Sequence, residues 1–487
     1  MSLPALLRAG IAAAPDEVAF RDARRSLTYG ESGIAVESLA RWLASRGLRA
    51  DDRMLIVSEN DVATPLLILA AQSLGAWPAP MNARVGPAEF EALRACADPR
   101  LVVFAAEGSA AAADLARTQA TERHEDRACG ELHVAQAAPT IGRPEGSDDV
   151  ALLLFTSGTT GRAKAVMWTH AGLAELGRVL ASSRATTRGS VVQCAGPLSH
   201  IMGVSNFMAA LHAGATLQLM PRLEVPALAD SIEAGEVTHL SLVPTAYLRL
   251  CDHLESAGRT LAGRGLRYIS CGGAPLDPTL KARVERLLGL RLVNGYGMTE
   301  CAPGSRTRPD VDAPADCIGW PEAGVEMRIE GGETGELVMR SATRMLGYFG
   351  QPGETAAILR DDGWLATGDL ARRLPDGSYQ LVGRSKEMII RSGFNVYPAE
   401  VEAVLNALPG VHQSAVVGRR EADGNEEVIA FVQGLPEATR DAVALLAAAA
   451  ERLAPYKRPA RIVSVDEFPL GPTGKLARRR LLERVPA

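Results

Sequence analysis

Short apolar runs alternate with helical-period stretches along most of the chain. Near the N-terminus Ile34, Leu39 and Leu43 recur at near-helical spacing, so a helix is expected to begin at Ser26–Tyr29. Arg53–Val57 and Leu101–Ala105 read as strands and Ala63–Leu74 as a helix, which predicts an α/β layer with both sheet faces covered. The Ala-rich, polar stretch Ala110–Asp149 reads as a helix followed by a loop, an internal boundary. Beyond it Ala151–Phe155, Val191–Cys194, Thr216–Leu219, His239–Val243, Tyr268–Cys271 and Arg291–Asn294 are strand candidates. From about residue 320 the texture changes to short strands and turns, Val325–Glu330, Gly335–Arg340 and Tyr379–Val382, predicting a smaller β-rich subdomain. After Arg384 a compact α+β pattern follows. Its elements are helix Pro398–Ala407, strands Ser414–Val417 and Glu427–Gln433, helix Arg440–Leu453 and strand Arg461–Val465. The fold class is therefore α/β. A large N-terminal domain (1–384) would stack α/β subdomains and a β-rich subdomain, and a small α+β C-terminal domain (385–487) would follow.

At 487 residues the chain has room for roughly three units of about 150 residues. Hydrophobic content of 47% and charged content of 22% are ordinary for a globular enzyme. With 52 basic and 57 acidic residues the net charge is −5, which argues against a nucleic-acid partner. The seven cysteines are scattered without a CxxC pair, disfavouring a zinc site or disulfide framework and fitting a reducing compartment. The N-terminus lacks a basic region before its apolar stretch, so it does not read as a signal peptide. The most apolar segment, around Pro65–Ala71, is broken by Gln72 and Ser73 and falls short of the ~18 residues a membrane span needs. A cytoplasmic location is the default expectation.

Five segments carry candidate chemistry. Leu152–Val166, LLLFTSGTTGRAKAV, joins an apolar run to a small-residue loop and then a lysine. Thr156, Ser157, Thr159 and Thr160 offer hydroxyls, Gly158 and Gly161 let backbone N–H groups approach an anion, and Lys164 adds a point charge. A Walker A loop needs GK followed by Ser or Thr; Ala163 and Ala165 flank Lys164, so that rule fails. Alone, the segment reads equally as a polar turn. Asn294–Glu300, NGYGMTE, is expected just after a strand. There Gly295 and Gly297 permit a tight turn, Tyr296 offers a flat face to a base and Thr299 a hydroxyl. Glu300 offers a hard carboxylate suited to Mg²⁺ beside phosphates; the plainer alternative is a strand-to-helix turn. Asp369, within Thr367–Asp369, is expected at a strand end, shaped to accept from ribose hydroxyls. In Gly383–Glu400, Arg384 is a fork-shaped donor, Lys386 falls in the linker and Gly393 permits close approach of a ligand. Lys386 and Arg391 read equally as solvated surface charges. Pro469–Lys475, PLGPTGK, presents Lys475 on a glycine-flanked loop.

In this order and spacing the five segments resemble the adenylate-forming superfamily: acyl- and aryl-CoA synthetases, peptide-synthetase adenylation domains and firefly luciferase. The similarity runs from SLTYGE at Ser26–Glu31 to Lys475. Departures are small: Ala163 and Ala165 stand where the family loop usually has Pro and Gly. The resemblance implies ATP, Mg²⁺ and CoA, together with a small-molecule carboxylic acid. It implies that Thr156–Lys164 closes over the β- and γ-phosphates, and that Tyr296 and the Gly272–Pro275 turn, through Gly273, Ala274 and Pro275, flank adenine. Asp369 and Arg384 would hold the ribose, Thr299 the α-phosphate and Glu300 the Mg²⁺. Lys475 would bridge carboxylate and α-phosphate during adenylation. Gly393 would line the pantetheine channel, and Lys386 would sit at the hinge of a mobile C-terminal domain.

Pro197–Phe207, PLSHIMGVSNF, resembles the acyl-pocket segment of CoA ligases, with His200 beside the reacting carboxylate. Ile201, Met202, Val204, Phe207, Val243, Gly272, Gly297 and Met298 would then give an apolar pocket without a second charge; half of them read equally as core. Amino-acid-activating domains usually carry an aspartate here, and this chain has none. Malonate-type ligases tend to place an arginine just before YGMTE, where Gly295 stands. The expected reaction makes acyl-AMP and pyrophosphate, then acyl-CoA and AMP, from an aromatic or medium-length monocarboxylic acid. Alternatives are an acyl-AMP ligase loading a carrier protein's phosphopantetheine, a malonate-type ligase, and a non-catalytic nucleotide-binding regulator. The macromolecular partners open to such a chain are a second copy, as a homodimer, and a protein acetyltransferase acting on Lys475, whose loop is exposed.

Overall fold

The computed structural model describes residues 2–144, 146–157, 163–392, 394–420, 425–434, 442–469 and 476–483. Gly158, Thr159, Thr160, Gly161, Gly393 and Lys475 therefore lie outside the described residues. The architecture is mixed α/β, with a large N-terminal part and a smaller C-terminal one.

Three sheets build the N-terminal part. In a five-stranded sheet, Arg53–Ser58 lies parallel between Trp77–Asn82 and Leu101–Ala105, and the antiparallel hairpin Thr121–Asp126/Gly130–Gln136 extends one side. That hairpin corrects the expected loop after Ala110: only Ala110–Arg117 is helical there. A thirteen-stranded sheet is parallel at its centre, where Val191–Cys194, His239–Leu242, Tyr268–Gly272 and Val293–Met298 follow one another. From Val293–Met298 outward it turns antiparallel, through Cys301–Arg306, Cys317–Pro321, Tyr379–Arg384, Leu365–Arg373, Thr334–Ser341 and Val325–Glu330. The third sheet is small: Val150–Ser157 and Ala163–Thr169 form a hairpin, and Gly347–Tyr348 pairs with its second strand.

Local chemistry sets several boundaries. Ser26–Thr28 is a strand, and the helix expected at Ser26 starts at Tyr29. A capping box fixes that start: Glu31 N–H donates to Thr28 Oγ1 at 3.1 Å, and Thr28 N–H donates to Glu31 Oε2 at 2.9 Å. Ile34 is 71% exposed, so the buried stripe of this helix runs instead through Ala35, Val36, Leu39 and Leu43. Helix Ala63–Ser73 is buried on every face from Ala63 to Gln72, as an all-round apolar sequence requires. Gln72 Nε2 donates to the Ala151 carbonyl at 2.6 Å. No helix among the described residues is long and apolar enough to cross a membrane.

The C-terminal part centres on strands Val411–Arg420, Glu426–Gly434 and Arg461–Ser464, with helices Pro398–Asn406 and Ala442–Ala450. Val401, Leu405, Val416, Val428 and Leu445 give it its own apolar core. Polar contacts that tie it to the N-terminal part include Asn406 Nδ2, which donates to Asp277 Oδ2 at 3.1 Å, and His412 Nε2, 3.2 Å from Asp252 Oδ2.

Candidate active site

One large cleft, about 2440 Å³, opens between the parallel strand ends of the N-terminal part and helix Pro398–Asn406 of the C-terminal part. Most of the sequence-nominated residues that the structure describes face it. Thr156 and Lys164 are register partners across the Val150–Ser157/Ala163–Thr169 hairpin. Lys164 is thus a strand residue, and it is buried: its ammonium pairs with Glu354 and lies 4.7 Å from the centre of the Tyr348 ring. The ammonium holds the Glu354 carboxyl below its ordinary range.

The NGYGMTE segment does not follow its strand, as the sequence suggested, but forms it. Val293–Met298 runs antiparallel into Cys301–Arg306, with Met298 opposite Cys301, so Thr299 and Glu300 are the two residues of a hairpin turn. Tight turns leave carbonyls to satisfy, and both are tied down here. Trp168 Nε1 donates to the Thr299 carbonyl at 2.9 Å, and Met345 N–H donates to that of Glu300 at 2.7 Å. The Tyr348 hydroxyl donates to Glu300 Oε1 at 2.7 Å. Burial pushes the Glu300 carboxyl up, and the Tyr348 hydroxyl and Lys164 charge oppose that shift. Among the described residues no cluster of three or more His, Cys, Asp or Glu could hold a metal. A single desolvated carboxylate fits Mg²⁺, which keeps few protein ligands when phosphates supply the rest.

Asp369 also departs from expectation, lying inside strand Leu365–Arg373 rather than at its end. Gly368, at φ +71°, takes a left-handed turn immediately before it, which re-aims the strand locally. Its register partner is Arg384, whose Nε lies 3.0 Å from Asp369 Oδ1. The Tyr296 hydroxyl donates to the other oxygen, Oδ2, at 2.6 Å. Burial, then the Asp369 charge, pushes the Tyr296 phenol well up, so it remains a donor. Tyr296, Asp369 and Arg384 therefore converge before any ligand is considered. Lys386 follows in the turn that Glu387 and Met388 N–H close on the Arg384 carbonyl, and it too faces the cleft.

Of the expected acyl pocket, His200, Val243, Gly297 and Met298 face the cleft, as do Gly273, Ala274 and Pro275 of the expected adenine wall. His200 stands at the N-cap of helix Ile201–Ala213. Val204 and Phe207 are corrections: each is about 1% exposed and packs in the core, Phe207 with its ring 6.1 Å from that of Phe20. That helix is buried on every face from Gly203 to Leu211. Ile201 is likewise packed against the core, and Met202 Cε approaches the Cβ position of Gly272 at 3.8 Å, away from the cleft lining. Gly272 itself stands opposite Gly295 and is buried.

Two residues after Lys475, Ala477 N–H donates to the Pro469 carbonyl at 2.8 Å. Leu476, Ala477 and Arg478, which directly follow Lys475, line the same cleft. Arg478 is anchored by Glu402 and by the Val416 carbonyl at 2.9 Å. Trp168, Tyr348 and Glu354 join the site without having been singled out in the sequence. Nothing local marks them; Glu354 meets Lys164 across 190 residues.

Residues 7–349 match the AMP-binding enzyme family and residues 400–475 the AMP-binding enzyme C-terminal domain. The chain belongs to this adenylate-forming family. Within it, the chain is similar to feruloyl-CoA synthase from Amycolatopsis, 34% identical with 96% of both chains covered. It is also similar to sulfoacetate–CoA ligase from Cupriavidus necator, 30% identical over 99% of this chain and 97% of that one. The structure of ATP-bound MatB from Rhodopseudomonas palustris superposes with a TM-score of 0.86 at 29% identity, covering 99% of each chain. The protein is an ATP-dependent acid–CoA ligase, which uses ATP, Mg²⁺ and CoA.

Proposed function

We propose that the acid is an aromatic or medium-length monocarboxylic acid, with cinnamate- and benzoate-type acids foremost. The observation that carries this is a strip without side chains. Gly295 and Gly297 both line the cleft from strand Val293–Met298, and Gly272 stands opposite Gly295 on the neighbouring strand. A planar ring packs well on bare backbone, and Arg306, the cation opposite Gly295 on the next strand, is paired with Glu322 at 2.8 Å rather than offered to a second carboxylate. The similarity to feruloyl-CoA synthase supports the same class.

In this reading the carboxylate attacks the α-phosphorus, pyrophosphate leaves, and the mixed anhydride then yields acyl-CoA and AMP when CoA thiolate attacks its carbonyl. AMP is a good leaving group, so no enzyme nucleophile is required. Bringing carboxylate to phosphate joins two anions, and fixed donors in a partly dry site stabilise that charge better than water. Thr156 and Lys164 with residues 157–163 receive the β- and γ-phosphates; Tyr296, Asp369 and Arg384 receive the nucleoside. Thr299 faces the α-phosphate, and His200 lies beside the reacting carboxylate. Glu300 would hold Mg²⁺, which neutralises phosphate charge when bound. Lys475 is delivered by the C-terminal domain, 385–487, turning about Lys386, and Gly393 lines the path of pantetheine in the second step. The orientation that the structure shows puts the base of the Lys475 segment on the cleft, which supports this assignment. The setting is the cytoplasm.

The test is pyrophosphate release over a panel of benzoates, cinnamates, fatty acids and dicarboxylates, with and without CoA. The highest kcat/KM is expected for an aromatic monocarboxylate. A strong preference for malonate would overturn the proposal.

A further inference from the structure

We infer that Tyr348 and Glu354 are positioning residues for the metal–phosphate end of the nucleotide, Tyr348 by orienting Glu300 and Glu354 by holding Lys164. The inference rests on the roles proposed above for Glu300 and Lys164.

Three chain segments meet at one phenol. Tyr348 donates its hydroxyl to Glu300 Oε1 at 2.7 Å while its ring carries the Lys164 ammonium 4.7 Å from its centre. Glu354 pairs with that ammonium from the short, exposed helix Pro352–Ala356. The backbone locks the arrangement. Gly347–Tyr348 pairs antiparallel with Met167 and Val166, two to three residues beyond Lys164. Thr355, the neighbour of Glu354, accepts the Tyr348 N–H at 2.8 Å, and Met345 N–H holds the Glu300 carbonyl at 2.7 Å.

A donor on one carboxylate oxygen fixes the plane of the group, which is how outer partners tune a metal ligand. A lysine stem has four rotatable bonds, and confinement between an aromatic face and a carboxylate removes most of that freedom. The two devices share Tyr348, so carboxylate and ammonium keep a fixed separation.

Calorimetry on the intact enzyme separates these roles, with Mn²⁺·ATP, metal-free ATP and AMP as probes. Tyr348→Phe is expected to weaken Mn²⁺·ATP binding by roughly tenfold and leave AMP binding unchanged. Glu354→Gln is expected to weaken ATP binding several-fold with and without metal, again without effect on AMP. Equal weakening of AMP and Mn²⁺·ATP by Tyr348→Phe, or no effect on either, overturns the role of Tyr348. Unchanged or tighter ATP affinity in Glu354→Gln overturns that of Glu354, and this half-exposed position carries the test alone should Tyr348→Phe fail to fold. Glu300→Gln identifies which layer fails. If it leaves Mn²⁺·ATP affinity intact, the assignment of Glu300 is wrong; if it weakens binding while Tyr348→Phe does not, the positioning inference is wrong.

Discussion

Lys475→Ala is expected to slow acyl-AMP formation by roughly 10²–10³, the usual loss when one preorganised donor to a developing oxyanion is removed. Thioester formation from supplied acyl-AMP is expected to continue at nearly the wild-type rate. The asymmetry follows from where charge builds. In the first step a carboxylate approaches an α-phosphate and negative charge accumulates on the phosphoryl oxygens. In the second a thiolate attacks a neutral carbonyl, and a cation at the phosphate contributes far less. Leu476, Ala477 and Arg478, which directly follow Lys475, line the cleft. Pyrophosphate exchange and single-turnover thioester formation, measured separately, check the prediction. Equal losses in both would contradict a lysine that serves one step.

Gly295→Arg is expected to lower kcat/KM for the preferred aromatic acid by about 10²-fold and to raise activity with malonate. A Cβ at Gly295 would meet nothing closer than the Cys271 carbonyl oxygen at 3.6 Å, and the residue has no positive φ, so the substitution itself is tolerable. The added side chain would fill the strip that the ring uses and put a fork-shaped cation where a second carboxylate could bind it. By the resemblance set out above, malonate-type ligases tend to place an arginine at that point. Kinetics with both acids test the idea; an unchanged aromatic preference would show that Gly295 lies outside the pocket.

Much of the frame was legible because buried parallel strands announce themselves. Val191–Cys194 and Thr216–Leu219 are apolar runs between turns, and the structure gives them the same bounds. The hairpin Thr121–Asp126/Gly130–Gln136 was hidden because its outer strand, TERHED, is half in solvent and carries five titratable side chains, a composition that reads as loop. Asp369 was misplaced for a different reason. Thr-Gly-Asp looks like a turn, and Gly368 does adopt a turn conformation, but strand pairing with Thr334–Ser341 resumes beyond it and pairing with Tyr379–Arg384 begins at Asp369. The site divides along similar lines. Residues within contiguous motifs, such as Tyr296, Glu300, Asp369 and Arg384, could be nominated from type and spacing. Val204 and Phe207 were nominated because apolar residues beside a site resemble those beneath it, and only packing tells them apart. Tyr348 and Glu354 had no local signal, since what distinguishes them is the distance to groups far along the chain.

The account depends on AMP, rather than phosphate, being the group that activates the acid. Turnover of an acid labelled with ¹⁸O in its carboxyl group tests that directly. Attack on the α-phosphorus transfers one labelled oxygen to AMP and leaves pyrophosphate unlabelled. Recovery of the label in orthophosphate, with ADP as the nucleotide product, would contradict it.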